Sequence, residues 1–236
     1  MISNTALVFA AGLGTRMGDL TKDRPKALVE LGGKALIDYM LDYLRGGGVE
    51  HFVVNMHHHG DKIAAHFKTN RDHSVTLSDE RDMLLDTGGG LMKALPLLPS
   101  DTPFFVANAD VIFKDASGGP HGLQQLDNHW DDEKMDCLLL LTPKALAKGH
   151  KGAGDFFLEE DGRVRPRGDA PSAPYIFTGL RLFHPRLAQG YDIEAFSFLS
   201  FFNKALANGR LYGVPYEGRW MDVGTREALM EARDLV

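Results

Sequence analysis

Short apolar runs alternate with amphipathic stretches through the first half of the chain. Compact apolar runs predict buried strands, and apolar positions three or four residues apart predict helices. Strands are predicted at residues 6–10, 51–55, 75–78, 104–107 and 136–141, and helices at 36–45, 61–67, 89–95 and 120–130. Such alternation is typical of βαβ units. The sequence therefore predicts the α/β class: a Rossmann-like, mostly parallel sheet flanked by helices on both faces.

The second half of the chain is less regular. Residues 156–158 and 164 flank the turn Glu160-Asp161-Gly162, a pattern that predicts a hairpin. A longer strand is predicted at 175–183, a helix at 198–208, a strand at 211–214 and a last helix at 226–235 with Thr225 as its N-cap. No linker or repeat divides the chain. We therefore expect one domain over residues 1–236, with a small β-rich insertion in its second half.

Composition narrows the class of protein. The 236 residues carry a net charge of −6 and are 44% hydrophobic, which favours a well-cored protein and argues against a general nucleic-acid binder. Apolar runs are shorter than the about 20 residues of a membrane span, and the N-terminus lacks a signal-peptide pattern. We expect a cytoplasmic monomer or homodimer without membrane or nucleic-acid partners. The single cysteine, Cys137, is expected to be a buried, inert thiol.

The loop that follows the first strand, residues 10–18, is the strongest local signal. Gly12 and Gly14 allow the backbone to approach a ligand closely, and successive N–H groups can hold an anion. Arg16 adds a permanent cation whose planar fork suits phosphate oxygens. The loop favours a phosphate site, with an ordinary tight βα turn as the alternative.

Two other phosphate-binding patterns fit the chain less well. The dinucleotide fingerprint G-x-G-x-x-G needs a glycine three residues after Gly14, where Met17 stands. The Walker pattern G-x-x-x-x-G-K-[ST] needs a hydroxyl residue after Lys34, where Ala35 stands. The spacing therefore argues against both a dinucleotide oxidoreductase and a P-loop protein.

Lys26 follows a proline, and this context gives it a defined position. Pro25 fixes its own φ and biases Arg24 towards an extended backbone, so Lys26 is presented from a stiff segment. A basic side chain opposite a glycine loop is suited to stabilising the transition state of phosphoryl transfer. Lys26 is therefore a candidate catalytic residue.

Two aspartates far apart in the sequence stand at comparable positions. Asp110 follows the apolar strand at 104–107, and Asp222 follows a strand-like run before the helix capped by Thr225. Ligand sites of parallel sheets lie at the carboxyl ends of strands. Two carboxylates brought together there would bind Mg²⁺, with substrate phosphates completing the octahedron. Turn or cap roles remain the alternative for each.

Three motifs in order resemble those of the sugar-1-phosphate nucleotidyltransferases. They are Phe9-Ala10-Ala11-Gly12-Leu13-Gly14-Thr15-Arg16-Met17 with Pro25-Lys26-Ala27-Leu28, then Asn108-Ala109-Asp110, then Trp220-Met221-Asp222-Val223-Gly224-Thr225. The resemblance runs from residue 6 to residue 225. It implies a glycine loop that holds a nucleoside triphosphate, Mg²⁺ as cofactor, and in-line attack by a sugar 1-phosphate.

The resemblance also assigns roles to individual residues. It implies catalysis by Arg16, Lys26 and Asp110, and Mg²⁺ ligation by Asp110 and Asp222. It implies sugar contacts by Asp155, Thr178 and Gly179. The implied nucleotide contacts are Ala11, Gly12, Gly14, Thr15, Arg16, Lys26, Glu80, Gly88 and Asn108.

The resemblance favours particular substrates within the family. The run Asp86-Thr87-Gly88-Gly89-Gly90 and the run His150-Lys151-Gly152-Ala153-Gly154-Asp155-Phe156 favour UTP and N-acetylmuramate 1-phosphate, and so a role in peptidoglycan recycling. A carboxylate at Glu80 accepts from uracil or from guanine, so mannose-1-phosphate guanylyltransferase activity is the alternative. A non-catalytic nucleotide-sugar sensor is a further alternative.

The chain departs from the family pattern in two places. Asp19 stands where many relatives have proline, which predicts a looser glycine loop. No residue matches a second catalytic lysine that several relatives carry before the long late strand. The basic residues of that region are Lys148, Lys151, Arg163, Arg165 and Arg167. What binds the phosphate of the sugar is left open.

Overall fold

The computed structural model describes residues 1–70, 72–148 and 152–234; His150, Lys151 and the predicted helix end at residue 235 lie outside these ranges. The strands are β1 (Thr5–Phe9), β2 (Glu30–Leu31), β3 (Lys34–Ala35), β4 (His51–Met56), β5 (Val75–Asp79), β6 (Phe104–Asn108), β7 (Val111–Lys114), β8 (Cys137–Pro143), β9 (Ala147–Lys148), β10 (Phe156–Leu158), β11 (Val164–Pro166), β12 (Tyr175–Phe183), β13 (Leu211–Pro215) and β14 (Arg219–Asp222). The helices are α1 (Leu36–Gly46), α2 (Gly60–Asn70), α3 (Asp86–Ala94), α4 (Gly122–His129), α5 (Leu199–Ala207) and α6 (Arg226–Glu231).

The main sheet is built around β1. Strand β1 is parallel to β4 on one side and to β6 on the other, and β5 is parallel to β4. Beyond β6 the long strand β12 runs antiparallel, with β8 on its other side and β13 parallel to β8. The hairpin β10–β11 pairs with the start of β12. The predicted mostly parallel sheet is confirmed, and the β-rich second half adds antiparallel strands to it.

Each face of the sheet is covered by helices. Helices α1, α2 and α4 bury residues such as Met40, Phe67 and Leu126 against one face. Helices α3 and α5 bury residues such as Leu91 and Phe201 against the other. A sheet covered on both faces needs strands that are apolar on both sides. This explains why the central strands are continuous apolar runs in the sequence.

A second, three-stranded sheet lies outside the predicted pattern. Its order is β7-β14-β9, with β14 antiparallel to β7 and parallel to β9. The register places Asp222 opposite Val111, and the N–H of Val223 donates to the carbonyl of Asp110 at 2.8 Å. This small sheet joins the late motif to the segment that follows β6.

Three further predictions concern single residues or helices. Thr225 caps α6, because its hydroxyl oxygen accepts from the N–H of Ala228 at 3.2 Å. Cys137 is a free, buried thiol, and burial raises its pKa to about 12. Within the described ranges, no helix combines the length and the apolar character that crossing a bilayer requires.

Candidate active site

Two adjoining cavities lie where β1, β4 and β6 end, and both are lined by Phe9, Gly12 and Thr87. The larger has a volume of about 400 Å³, and the smaller about 170 Å³. Most of the predicted nucleotide and catalytic residues line one or the other. The larger is lined by Ala11, Gly12, Gly14, Thr15 and Glu80, and the smaller by Gly12, Lys26, Asn108 and Asp110.

The glycine loop packs directly onto the segment that carries Lys26. Gly14 has φ of 65°, and a Cβ atom there would lie 2.9 Å from the Cβ of Lys26 and 2.9 Å from a methyl group of Thr21. The hydroxyl of Thr21 donates to the carbonyls of Gly14 and Gly18 at 3.0 and 3.1 Å. Thr21 therefore links Gly14 to Gly18 within the loop region.

Gly14→Ala is expected to lower the free energy of unfolding by about 1–3 kcal/mol, because the left-handed backbone and the close Lys26 contact both exclude a Cβ. Gly12→Ala is the matched control, since a Cβ at Gly12 would meet nothing within 4 Å. Urea denaturation of both variants measures the difference. Equal stabilities would show that the close packing of the loop on Lys26 is unimportant.

Asn55 fixes the start of the glycine loop. Its side-chain oxygen accepts from the N–H groups of Ala10 and Ala11 at 2.7 and 3.3 Å, and its amide nitrogen donates to Glu80 at 2.8 Å. Asn55 is 2% exposed, so these bonds are shielded from water. The sequence-based assignment missed this residue.

Glu80 lies at the bottom of the larger cavity and is fully buried. One carboxylate oxygen accepts from Asn55, and the other, Oε2, has no hydrogen-bond partner among the described residues. Burial raises the pKa of Glu80 to about 7, and the Asn55 bond opposes that rise. A Cβ at Gly90 would lie 2.8 Å from Glu80, so α3 can pass this carboxylate only with a glycine at that position.

The raised pKa of Glu80 predicts a pH-dependent stability. Because the folded-state pKa lies above the ordinary value of 4.5, the wild type loses stability as the pH rises from about 4.5 to about 7, and loses no more above that. Glu80→Gln lacks this titration. As the pH rises across this window, we expect the free energy of unfolding of the variant to increase by up to about 3 kcal/mol relative to that of the wild type. Urea denaturation at pH 4.5, 6 and 8 measures it; a constant difference between the two proteins would contradict the assignment.

Lys26 and Asp110 form an ion pair in the smaller cavity. Lys26 is 9% exposed and begins a single 3-10 turn after Pro25, whose ψ is 151°. Asp110 stands just beyond the carboxyl end of β6, with its side chain 27% exposed. The predicted catalytic lysine and the predicted metal ligand are therefore in contact.

Asp222 and Arg16 meet at Gly224. A Cβ at Gly224 would lie 3.1 Å from a carboxylate oxygen of Asp222 and 3.2 Å from a guanidinium nitrogen of Arg16. The pairing of β14 with β7 holds this group beside the segment of Asp110. The predicted basic and acidic residues thus come together from three separate parts of the chain.

The two aspartates offer the oxygen donors that Mg²⁺ prefers. Among residues 1–70, 72–148 and 152–234 no cluster of three or more acidic, histidine or cysteine side chains could hold a metal. Two carboxylates are a fitting set where substrate phosphates and water supply the other ligands. The donor chemistry therefore suits a metal that is bound together with a phosphorylated substrate.

Two residues assigned from the sequence are buried and hydrogen-bonded within the protein. Gly88 is buried beneath Phe196, and its N–H donates to the carbonyl of Phe196 at 2.8 Å, so this N–H is not available to a nucleotide. Thr178 is fully buried, and its hydroxyl donates to the carbonyl of Leu140 at 2.8 Å, so this hydroxyl proton is already used within the sheet. Thr87, which lines both cavities, was not assigned from the sequence.

The other two predicted sugar residues lie on the β12 side of the site. Asp155 is half-buried, and its carboxylate accepts from the N–H of Phe177 at 3.0 Å. Gly179 has φ of 86°, and a Cβ there would lie 3.0 Å from the side-chain amide of Asn108. The carboxylate of Asp155 is thus hydrogen-bonded to the backbone of β12, and Gly179 packs against Asn108, a residue of the smaller cavity.

Asp86 is a further residue of the larger cavity that the sequence did not reveal. It has φ of 54°, a left-handed backbone that is uncommon outside glycine. Its carboxylate accepts from the N–H of Thr87 at 2.6 Å, which supports this turn. Strained residues of this kind are concentrated at ligand sites.

Two larger hollows lie elsewhere, with volumes of about 510 and 690 Å³. The first is lined by residues around Arg24, Lys34 and Asp38, and the second by the β10–β11 hairpin and the end of α5. Neither contains Lys26, Asp110 or the glycine loop. Chemistry rather than volume therefore identifies the candidate site.

Comparison with known proteins agrees with this geometry. Residues 6–132 match the MobA-like NTP transferase domain. The chain is 42% identical over 231 residues to N-acetylmuramate alpha-1-phosphate uridylyltransferase of Caulobacter vibrioides, covering 96% of this chain and 94% of that protein. It is 31% identical over 241 aligned positions to the protein of the same name from Neisseria meningitidis, covering 98% and 97%.

A solved structure shows the same fold at lower identity. The inositol-1-phosphate CTP transferase from T. maritima superposes with a TM-score of 0.79 at 18% identity, covering all of this chain and 95% of that one. Identity this low supports the fold alone. The family match and the two sequence relatives go further, and by them this chain belongs to the MobA-like NTP transferase family.

Proposed function

We propose that this protein transfers a nucleotidyl group from a nucleoside triphosphate to a sugar 1-phosphate, giving a nucleotide sugar and pyrophosphate. One observation carries the proposal: the Lys26–Asp110 ion pair lines the same cavity as Gly12 of the glycine loop, and the N–H of Val223, next to Asp222, donates to the carbonyl of Asp110. Both relatives are uridylyltransferases by name.

In the proposed reaction, a phosphate oxygen of the sugar 1-phosphate attacks the α-phosphorus. A new P–O bond forms there as the bond to the β-phosphate breaks, and pyrophosphate carries away the electron pair. Lys26 stabilises the charge that accumulates on the α-phosphoryl oxygens, and Arg16 neutralises the outer phosphates. Positioning and charge neutralisation supply the catalysis, so no covalent enzyme intermediate is needed.

Asp110 and Asp222 are the proposed Mg²⁺ ligands. When bound, the metal would neutralise phosphate charge and orient the triphosphate. The ion pair between Lys26 and Asp110 keeps both side chains in place while no substrate is bound. In the complex Lys26 is then directed to phosphate oxygens instead.

UTP and N-acetylmuramate 1-phosphate are the favoured substrates. The base is proposed to enter the larger cavity, where a carboxylate oxygen of Glu80 can accept from the N3–H of uracil. The names of the two relatives support the same pair. N-acetylmuramate is a sugar of peptidoglycan, so the proposal extends to recycling of cell-wall sugar in the cytoplasm, where UTP is available.

Guanylyl transfer to mannose 1-phosphate is the second candidate. The Oε2 atom of Glu80, which has no partner among the described residues, is compatible with it, because a carboxylate oxygen can also accept from a donor on the guanine edge. The two candidates differ in the base and in the sugar. Both use the same Lys26 chemistry.

The test is a matrix of UTP, GTP, CTP, ATP and dTTP against N-acetylmuramate, N-acetylglucosamine, glucose and mannose 1-phosphates, with Mg²⁺ and detection of pyrophosphate. We expect the highest kcat/KM with UTP and N-acetylmuramate 1-phosphate. A higher value with GTP and mannose 1-phosphate would favour the second candidate. Tight nucleotide binding without turnover in any combination would instead identify a sensor.

A further inference from the structure

Arg181 of β12 is an unusual buried cation. Arg181 is 2% exposed, and its guanidinium carbon lies 3.8 Å from the ring centroid of Phe198 and 5.4 Å from that of Phe9. The rings of Phe177 and Phe202 lie at 5.3 and 5.9 Å. Four aromatic rings therefore enclose the guanidinium. Their cation–π attraction replaces part, but not all, of the stabilisation that hydration would give the charge.

This cation has no anionic partner in the part of the chain that the structure describes. Its one hydrogen bond is a long one of 3.5 Å to the carbonyl of Gly179, and its Nε has no partner. Burial lowers the pKa of Arg181 to about 9, which still leaves it charged at neutral pH. Asp136, by contrast, is a buried ion that is paired, because it accepts from Arg186 and Arg210.

An unpaired buried charge is costly, and the packing alone does not require it. An apolar side chain of similar length would fill the same aromatic cage without the desolvation cost. The chain nevertheless keeps a cation here. A destabilising buried charge of this kind is expected at functional sites, where the charge interacts with a ligand.

Arg181 lies directly below the candidate site. Gly179, which accepts its hydrogen bond, packs against Asn108 of the smaller cavity. Phe9, in contact with the guanidinium, lines both cavities. The guanidinium of Arg181 is therefore separated from the two cavities by one layer of side chains.

The sheet order assigns this charge to one side of the site. Glu80 and Asn55, the proposed base side, belong to the β4–β5 half of the sheet, and β12 lies beyond β6 on the opposite half. If the nucleotide base occupies the β4–β5 half, the second substrate occupies the β6–β12 half. Arg181 is thus placed under the second substrate.

We propose that Arg181 is an electrostatic positioning residue that draws the phosphate of the sugar 1-phosphate into place without touching it. The proposal rests on the proposed function and deepens it, because it names a source of positive charge for the second phosphate. The medium around a buried charge has a low dielectric constant, and salt screens such a charge poorly. Its attraction for a phosphate therefore extends across the one layer of aromatic side chains between Arg181 and the cavities.

The first test compares Arg181→Met with Arg163→Met, a control on an exposed turn. We expect Arg181→Met to raise KM for the sugar 1-phosphate about tenfold while KM for the nucleoside triphosphate changes less than about threefold. Its Tm is expected to be unchanged or higher, because the buried charge is gone. A merely structural arginine would lower Tm and leave the ratio of the two KM values unchanged.

The second test uses Arg181→Lys and the pH. A buried lysine loses its proton far more readily than an arginine. Relative to the wild type, KM of the lysine variant for the sugar 1-phosphate is therefore expected to be near normal at pH 6 and to approach that of Arg181→Met by pH 8, where the wild-type arginine still carries most of its charge. If the ratio of the KM of Arg181→Lys to the KM of the wild type stays constant with pH, the proposal is overturned. This result does not depend on the stability of Arg181→Met.

The outcomes separate this proposal from the function it rests on. If the wild type turns over none of the substrate pairs, the proposed function fails, and the dissociation constant of the sugar 1-phosphate by titration calorimetry replaces KM in both tests. If the wild type is active and Arg181→Met leaves KM for the sugar 1-phosphate unchanged, or raises both KM values equally, only the role of Arg181 is overturned.

Discussion

Lys26→Ala is expected to lower kcat/KM about 10²–10³-fold, the cost of removing one preorganised group that stabilises transition-state charge. Lys26 is held by the turn after Pro25 and contacts Asp110, so its charge is already aimed into the smaller cavity. The pair is partly exposed on the Asp110 side. Its loss should therefore cost less than about 1 kcal/mol of folding stability.

The matched control for this variant is Lys22→Ala. Lys22 belongs to the same basic segment but is exposed, and its backbone carbonyl rather than its side chain contacts His59. Pyrophosphate release with the best substrate pair and urea denaturation should be measured on both. Activity of Lys26→Ala within threefold of Lys22→Ala would remove Lys26 from the catalytic machinery.

Asp110→Asn is expected to lower kcat about 100-fold or more and to raise the Mg²⁺ concentration needed for half-maximal activity. A metal contributes several kcal/mol of charge stabilisation to phosphoryl transfer, and each 1.36 kcal/mol corresponds to about a factor of ten in rate. Asparagine keeps the shape of the side chain but carries no charge for the metal. It also removes the ionic partner of Lys26.

Asp101→Asn tests whether this loss is specific. Asp101 is exposed and precedes β6, at the opposite end of the strand that Asp110 follows. Rates measured over a Mg²⁺ titration should distinguish the two variants. If Asp110→Asn shows the same Mg²⁺ dependence as Asp101→Asn, Asp110 does not bind the metal.

Much of the fold could be predicted from the apolar pattern. The strand predicted at 175–183 has the bounds of β12, because a largely buried strand is a mainly apolar run, here interrupted by Thr178, Gly179 and Arg181. Strands β7, β9 and β14 were not predicted as a sheet, although Asp222 was placed at a strand-like end. They are short and contain polar residues, and the pairing of β7 with β14 joins positions more than a hundred residues apart. Local patterns carry no information about such pairing.

The site was predictable where a rare motif marks it. The glycine loop, Lys26 and Asp110 do line one pair of cavities, and a lysine after proline beside a glycine loop is informative by itself. Asn55 carried no such signal, because one polar residue at the end of a strand has many explanations. Gly88 was misleading for the opposite reason. Its lack of a side chain makes room for Phe196 rather than for a nucleotide.

Arg181 shows a third kind of limit. Along β12 it reads as one polar residue among apolar ones, which ordinarily indicates exposure to solvent. Its enclosure depends on rings from β1 and from the region of α5, which lie far away in sequence. Only the assembled sheet reveals that this charge is buried beneath the cavities.

The pairing of β7 with β14 also sets a time order during synthesis. Asp110 is added to the growing chain 112 residues before Asp222. The two become neighbours only after β14 has emerged and paired. A nascent chain can fold the β1–β4–β6 region before β14 has emerged, so the glycine loop can be in place before the two aspartates become neighbours.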